Sequence, residues 1–409
     1  MPRENIVVGL DVGTTKVAIC VGRVDEGLIN IIGFSRVPNA GVRKGIVVDV
    51  EDTISAITAA LEQAERMSGV PIKSAVLGLS GAHITSTASH GVVAVSRADG
   101  EITQNDVTRV IDAARTVALP PNREIIHVVP KFYTVDNQPG IIDPIGMTGI
   151  RLEVESVVIG GSTVAIKNLT KCAHQAGLGI EELIFSPLAS AKALTNKKQK
   201  ELGVAVVDIG GGTTSLAIFE SGDILHCAVL PIGSMHITND IAIGLRTSLD
   251  LAEQIKIKYG SAIPGKIRES ENISLSHLDP QENQKVERKY VAEIIHARLM
   301  EIFSLVKEEL RKVGKDGMLP AGIIFTGGGS KLEDLVELAK TELRLPAQIG
   351  LPVFEMTGMV DKLQDEVYST SVGLMLHGLE NHDTPNSFNF NLDGGVLDKA
   401  KGFLKQFLP

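Results

Sequence analysis

Two copies of one short pattern, about 200 residues apart, constrain this chain more than any other feature. The first runs Ile6-Val-Val-Gly-Leu10, Asp11-Val-Gly-Thr-Thr-Lys16, Val17-Ala-Ile-Cys-Val21. The second runs Val204-Ala-Val-Val207, Asp208-Ile-Gly-Gly-Gly-Thr-Thr214, Leu216-Ala-Ile-Phe219. Short apolar runs bounded by turn residues read as buried strands, with the glycine at the turn of a hairpin. The repetition predicts two related halves. Length agrees, because 409 residues exceed the roughly 250–300 at which a single core stops growing.

A glycine closing a buried strand lets backbone N–H groups approach an anion where a Cβ would stand in the way. Gly13, Thr14, Thr15 and Lys16 form one candidate phosphate loop, and Gly210, Gly211, Gly212, Thr213 and Thr214 its mirror image. Asp11 and Asp208 are placed to hold a metal ion through water. A third loop, Gly327, Gly328, Gly329 and Ser330, follows the apolar run 323–325. Ser330-Lys-Leu-Glu333 has the spacing of a capping box, which predicts a helix directly after the glycines with its N-terminus toward the ligand. One such loop is usually only a tight turn, whereas three in this order form a constellation. Neither GxxxxGK[ST] nor a GxGxxG opening an early helix occurs, which removes the main support for P-loop and Rossmann readings.

Together with Ser186-Pro-Leu-Ala-Ser-Ala191 and Ser369-Thr-Ser-Val-Gly-Leu374, these loops resemble the five-part signature of the actin, sugar-kinase and heat-shock-chaperone ATPase superfamily. The resemblance spans nearly the whole chain. It implies an α/β, actin-like fold of two lobes with duplicated RNase H-like cores, binding ATP and Mg2+ in the cleft between them. It also matches Glu253 and Lys256 to positions that hold the adenosine in relatives, although their spacing equally fits a surface i,i+3 ion pair. Filament-forming and chaperone members often carry Gln or Glu near the position of Ser186. Serine is too short to act as a base without a partner, so the expectation is slow turnover, with Asp11 and Asp208 contributing to catalysis only through metal-bound water.

Between the repeats, residues 50–67 and 162–176 have helical periodicity and 74–81 reads as a strand. Residues 83–161 alternate strands (92–95, 124–134, 151–159) with one helix (104–117), a small α+β module in which Thr103 is the expected N-cap and Asp106 supports the dipole. In the second half, 249–259 and 283–313 read as helices around a polar stretch, 261–280. The inserted module, Gly41-Val-Arg-Lys-Gly-Ile-Val-Val-Asp49 and the run 201–208 resemble the FtsA family of bacterial cell-division proteins. That resemblance divides the chain into lobe 1 core (1–82, 162–200), an FtsA-type insert (83–161), lobe 2 core (201–248, 320–360), a lobe 2 outer subdomain (249–319), a return to lobe 1 (361–379), a linker (380–394) and a terminal amphipathic helix (395–409).

The last segment has its own signature. On a helical wheel Val396, Leu397, Ala400, Phe403, Leu404, Phe407 and Leu408 fall within an arc of about 140°, with Lys399, Lys401 and Lys405 outside it. That is the pattern of a helix lying in an anionic membrane interface, and equally of a terminal helix packed on its own domain. The polar, Asn-rich stretch before it suits a tether.

The net charge of −9 argues against nucleic-acid binding, and Cys20, Cys172 and Cys227 form no CxxC pair and fit reduced thiols. No leader pattern or run of about 18 apolar residues occurs. The family resemblance implies a peripheral protein on the cytoplasmic face of the membrane at the septum, self-polymerising, bound to anionic lipids, to later division proteins and to the C-terminal tail of FtsZ. Arg288, Lys289 and Arg298 on the 283–313 helix, with Lys285, are candidates to meet that acidic tail. The alternatives are an actin-like pilus-assembly scaffold and, further off, a small-molecule kinase.

Overall fold

The computed structural model describes residues 6–25, 28–116, 120–280, 282–354 and 356–382. The chain opens with β1 (Ile6–Val12), β2 (Lys16–Asp25) and β3 (Leu28–Pro38), an antiparallel meander, followed by a small hairpin of β4 (Val42–Arg43) and β5 (Ile46–Val47). Helix α1 (Val50–Ser68) starts where the Asp49 carboxylate accepts from Asp52 N–H and stops at Gly69 in the left-handed conformation. Strand β6 (Ser74–Leu79) then lies parallel to β1.

The insert comprises β7 (Thr85–Ala94), α2 (Gln104–Ala114), β8 (Arg123–Val135), β9 (Gln138–Ile141) and β10 (Arg151–Ser162), its sheet in the order β7-β10-β8-β9. Asp106 at the start of α2 accepts from the backbone and hydroxyl of both Thr103 and Ser96, so it ties helix to sheet as well as favouring the dipole. Helix α3 (Thr163–Gln175), β11 (Gly179–Phe185) beside β6, α4 (Ser186–Leu194) and α5 (Lys197–Leu202) complete this part of lobe 1.

Lobe 2 repeats the plan with β12 (Val204–Ile209), β13 (Thr214–Glu220) and β14 (Asp223–Leu230), then α6 (Ser234–Leu245), α7 (Leu249–Tyr259), the strand pair β15 (Asn272–Ser274) and β16 (Lys285–Glu287), and the long α8 (Arg288–Lys312). Strand β17 (Ile323–Thr326), α9 (Leu335–Leu343) and β18 (Ala347–Ile349) follow. The chain returns to lobe 1 as β19 (Met356–Gly358), which pairs with β3, and α10 (Ser369–His382).

The duplication is explicit in the two sheets. Lobe 2 orders its strands β14-β13-β12-β17-β18, and lobe 1 orders β3-β2-β1-β6-β11 in the same antiparallel-then-parallel sense, with β19 added outside β3. The period-2 alternation of β12 divides its side chains between two cores. Ala205, Val207 and Ile209 face the helices of lobe 2, while Val204 and Val206 join the lobe 1 core with α4 residues Leu188 and Ala191. The lobes are therefore joined through α4 and α10, which cross where Gly373 meets Ala189.

Four expectations need correction. The helix read over 283–313 begins at Arg288, because residues 285–287 pair as a strand with 272–274 inside the stretch read as polar. The strand at 92–95 is the end of a longer one, Thr85–Ala94, and the short strand Gln138–Ile141 carries no alternation that announces it. The capping box at Ser330 does not form. A 3-10 turn, Gly328–Lys331, follows the glycines, the Ser330 hydroxyl donates to Gly327 O at 2.7 Å, and α9 starts at Leu335 after Asp334 at φ 65°. Finally, α10 runs to His382, into the stretch read as linker from 380.

A Cβ at Gly373 would lie 1.8 Å from Ala189 O, a backbone atom that cannot step aside. Gly373→Val is expected to cost about 2–4 kcal/mol, against less than about 0.5 for Gly265→Ala, whose Cβ meets nothing. Urea-denaturation midpoints of the whole protein check this, and equal midpoints would contradict the close crossing.

Candidate functional site between two glycine turns

The two hairpin turns close in the same way. Gly13 N–H donates to Lys16 O at 2.8 Å and Gly210 N–H to Thr213 O at 2.9 Å, and a Cβ on either glycine would stand 3.1 Å from that carbonyl. They face one another across the lobes. A Cβ at Gly211 would lie 2.5 Å from Thr15 Cγ2, and one at Gly212 2.7 Å from Thr14 Oγ1. Behind them the Ser80 and Ser215 hydroxyls bond at 3.0 Å, and Thr370 on α10 donates to Asp208 at 3.3 Å while sharing a 2.9 Å bond with Ser190 on α4. Hydroxyls thus stitch the lobes together along the floor of the cleft.

Each turn is braced differently. In lobe 1, Asn39 donates its amide to Gly13 O at 2.8 Å and its backbone N–H to Thr15 O. In lobe 2, Ser234 and Met235 at the start of α6 donate to Gly210 O and Gly211 O, both at 2.8 Å. Neither Asn39 nor the start of α6 was marked by the sequence reading, although Gly233-Ser234 after an apolar run is a turn signal that could have pointed to the latter.

The carboxylates differ in charge environment. Asp11 is paired with Lys16 Nζ at 2.8 Å. Asp208 lies deep in the cleft, and burial, reinforced by the negative charge of Asp11, pushes its carboxyl up to about 6. A cation between the two would relieve that cost. Two carboxylates suit a magnesium ion that keeps most of its waters and takes its remaining oxygens from a phosphate chain. Among the described residues no group of three or more His, Cys, Asp or Glu gathers as a self-sufficient metal site.

The third glycine loop packs on the second. Gly327 takes φ 82° and a Cβ there would lie 2.1 Å from Asp208 Oδ1, so only glycine fits. Glu253 and Lys256 form an ion pair at 2.6 Å, but Lys256 is buried and also donates to Thr238 Oγ1 at 2.8 Å and Ser234 O at 3.3 Å. The pair therefore locks α7 onto the start of α6, next to the lobe 2 turn. Ser186 is buried at the start of α4, and its hydroxyl has no hydrogen-bond partner among the described residues. An open pocket of about 870 Å³ lined by Ser330, Asp334, Glu337 and Glu366 flanks the third loop, whereas the space between the two facing turns is closed by the Thr14 and Thr15 contacts.

The candidate cations on α8 are engaged within the fold. Arg288 donates to Tyr259 O, Glu271 and Glu333, Lys289 pairs with Glu269 at 3.1 Å, and Arg298 pairs with Asp240 at 2.6 Å and with Glu301. Val396, Leu397, Lys399, Lys401, Phe403, Leu404, Lys405, Phe407 and Leu408 lie outside the described residues. No described helix is long and apolar enough to cross a membrane.

Sequence comparison matches residues 205–373 to the family described as "Cell division protein FtsA" and 81–160 to "SHS2 domain inserted in FTSA". The chain is 41% identical over 397 residues to the cell division protein FtsA of Pseudomonas aeruginosa, covering 97% of this chain and 94% of that one. It is 38% identical to the cell division protein FtsA of Bacillus subtilis over 93% of this chain and 85% of that one. Among solved structures, it resembles a PilM-PilN type IV pilus biogenesis complex (TM-score 0.68, 17% identity, 92% of this chain and 99% of that one). It also resembles MreB5 of Spiroplasma citri bound to ADP (TM-score 0.55, 14% identity, 94% and 100%). At these identities the structural likenesses establish the actin-like fold alone.

The raised carboxyl of Asp208 has a pH consequence. The folded protein holds this proton more tightly than the unfolded chain, so the group's contribution is present below about pH 4 and lost as pH rises through 6. In magnesium-free buffer Asp208→Asn is expected to be more stable than the parent at pH 7.5, by about 1–2 kcal/mol, with the gain vanishing near pH 4.5. Thermal melts across that range read the difference, and a pH-independent offset would contradict the assignment.

Proposed function

This chain belongs to the FtsA family of cell-division proteins, and from that premise we propose that it is an ATP-binding filament subunit that tethers FtsZ to the cytoplasmic face of the membrane at the septum. The observation that carries the reading is the approach of Thr14 and Thr15 to Gly211 and Gly212 across two lobes with duplicated sheets. Two opposed turns, each with a glycine at its close and a carboxylate at its root, are suited to a magnesium–triphosphate group, which would supply the charge that bridges the lobes. Gly13 and Gly210–Gly212 would present backbone N–H groups, Thr14, Thr15, Thr213, Thr214 and Lys16 their polar ends, and Asp11 and Asp208 would hold magnesium through water. Gly327–Ser330 and the Glu253–Lys256 pair border the same turn on the lobe 2 side and are assigned to the nucleoside.

Because the facing turns are already in contact, admitting phosphates requires the lobes to part. The crossing of α4 and α10, where Gly373 meets Ala189, is assigned as the hinge for that movement, and the cleft-floor hydroxyls and the contacts of the insert with lobe 2 resist it. Ser186 supports slow turnover: its hydroxyl is buried without a hydrogen-bond partner among the described residues, so none of them is placed to deprotonate it or to aim it at water. The chain is then a switch between open and closed lobes more than a catalyst, and closure is the polymer-competent state.

The wheel pattern of 395–409 supports membrane attachment. One short helix binds reversibly, and a filament multiplies it into avidity. The family assignment also favours this reading over the pilus-scaffold alternative, which shares the fold at only 17% identity. Deleting Gly395–Pro409 is expected to leave folding and nucleotide binding intact while abolishing co-sedimentation with anionic vesicles; persistent pelleting would refute the tether.

An acidic FtsZ tail would reach Arg298 only by exchanging with Asp240 and Glu301, an exchange among partly exposed ion pairs that costs little. Arg298→Glu is expected to weaken binding of an FtsZ C-terminal peptide about tenfold, by calorimetry or anisotropy. An unchanged affinity would remove α8 from the contact. The insert is assigned to later division proteins and to the neighbouring subunit.

A further inference from the structure

The crossing from lobe 2 back to lobe 1 carries four consecutive apolar residues on the surface, Leu351-Pro-Val-Phe354. Leu351 is 50% exposed, Val353 46% and Phe354 39%. An exposed run of this kind is unusual in a soluble domain and marks a surface that something covers. The segment is held in place and not a loose loop: Val353 N–H donates to Ala193 O at the end of α4, and β19 immediately beyond it pairs in parallel with β3.

The sheet register places this run near the point where the described chain ends. Thr357 is level with Asn30, which is level with Arg23, which is level with Ile6, so the β19 end of the run lies three strand spacings, about 14 Å, from the start of β1. Helix α10 runs toward that same end of β1, since Gly378 packs against Val7 while Gly9 packs against Ser371 and Met375. The apolar run thus leads from Ala193 at the end of α4 to the edge of the sheet at Ile29, level with the end of β1 toward which α10 runs. Residues 383–394 can span up to about 40 Å when extended and about 20 Å on average as a flexible chain, enough to return the next segment to the run. That next segment, 395–409, has a continuous apolar arc of Val396, Leu397, Phe403, Leu404, Phe407 and Leu408.

We propose that the Leu351–Phe354 run is the docking surface for the chain's own amphipathic C-terminal segment, which it occupies when no membrane is present. The inference rests on the amphipathic, membrane-seeking reading of 395–409 given above. Docking and lipid binding use the same apolar arc, so they exclude one another and the docked state lowers the apparent affinity for lipid by the undocked fraction.

Two full-length variants test this, with hydrogen exchange over 350–359 and sedimentation with anionic phosphatidylglycerol vesicles as readouts. In Phe403→Glu/Leu404→Glu, amides of 350–359 are expected to exchange about fivefold faster than in the parent, at every protein concentration. In Val353→Ser/Phe354→Ser, with an unchanged melting temperature confirming the fold, half-maximal vesicle binding is expected at about three- to tenfold less lipid. Equal exchange in parent and tail variant overturns the docking. Protection that grows with protein concentration also overturns it, in favour of a second copy as occupant. If the parent and Val353→Ser/Phe354→Ser both ignore vesicles while the exchange difference persists, docking stands and the membrane tether fails.

Discussion

The contact between Thr14–Thr15 and Gly211–Gly212 is the constraint on which the rest of the molecule depends. Two turns can meet this closely because one side presents no Cβ: the glycines of lobe 2 leave room for the side chains of the lobe 1 threonines. Everything behind the turns serves to bring them together. Parallel pairing of β1 with β6, and of β12 with β17, sets the depth of each sheet edge, and the Ser80–Ser215 bond fixes the two edges relative to one another. Asp208 carries the cost of this arrangement, since its carboxyl is crowded by protein and by Asp11.

The duplication explains why so little additional machinery is needed. Both lobes use one sheet plan, but they brace their turns by different means: a single amide, Asn39, in lobe 1 and the first turn of a helix, α6, in lobe 2. The lobe 2 turn is thereby connected to the Thr238–Glu253–Lys256 cluster, so that anything pressing on it is felt at α7 and onward at α8. Lobe 1 instead communicates with the insert. His127 of β8 accepts from Phe185 N–H at 3.0 Å, immediately before Ser186, and burial depresses its pKa to about 3, which keeps the ring a neutral acceptor. The insert also touches lobe 2, where the Ser86 hydroxyl donates to Cys227 O on the edge strand β14. It thus stands against both lobes, where a change in their separation would reach it.

The features that sequence reasoning misplaced share a cause. Residues 285–287 follow a helical pattern, yet a partner strand at 272–274 takes them, and such pairing is invisible until both segments are in place. Ser330 has the spacing of a helix cap, but its hydroxyl finds Gly327 O first because the glycine turn brings that carbonyl within reach. Arg288 and Arg298, the candidates for an acidic partner, are a different case: they also pair with carboxylates of the fold itself, among them Glu271, Glu333 and Asp240, 17 to 58 residues away. Spacing reports neighbours along one element and is silent about those that folding delivers.

What the sequence determined by itself was therefore whatever depends on local backbone chemistry: the two Asp-x-Gly hairpins, the strands that flank them, the insert between them and the family to which they belong. Those elements follow from apolar runs and from glycine's freedom at a turn, both properties of a few adjacent residues. Only the tertiary structure decided that the hairpins touch, that Lys256 is buried beneath α6, that Ser186 has no hydrogen-bond partner among the described residues, and that an apolar run tied to the end of α4 faces solvent. Each of these rests on atoms brought together from distant parts of the chain, where distance and burial set the energy.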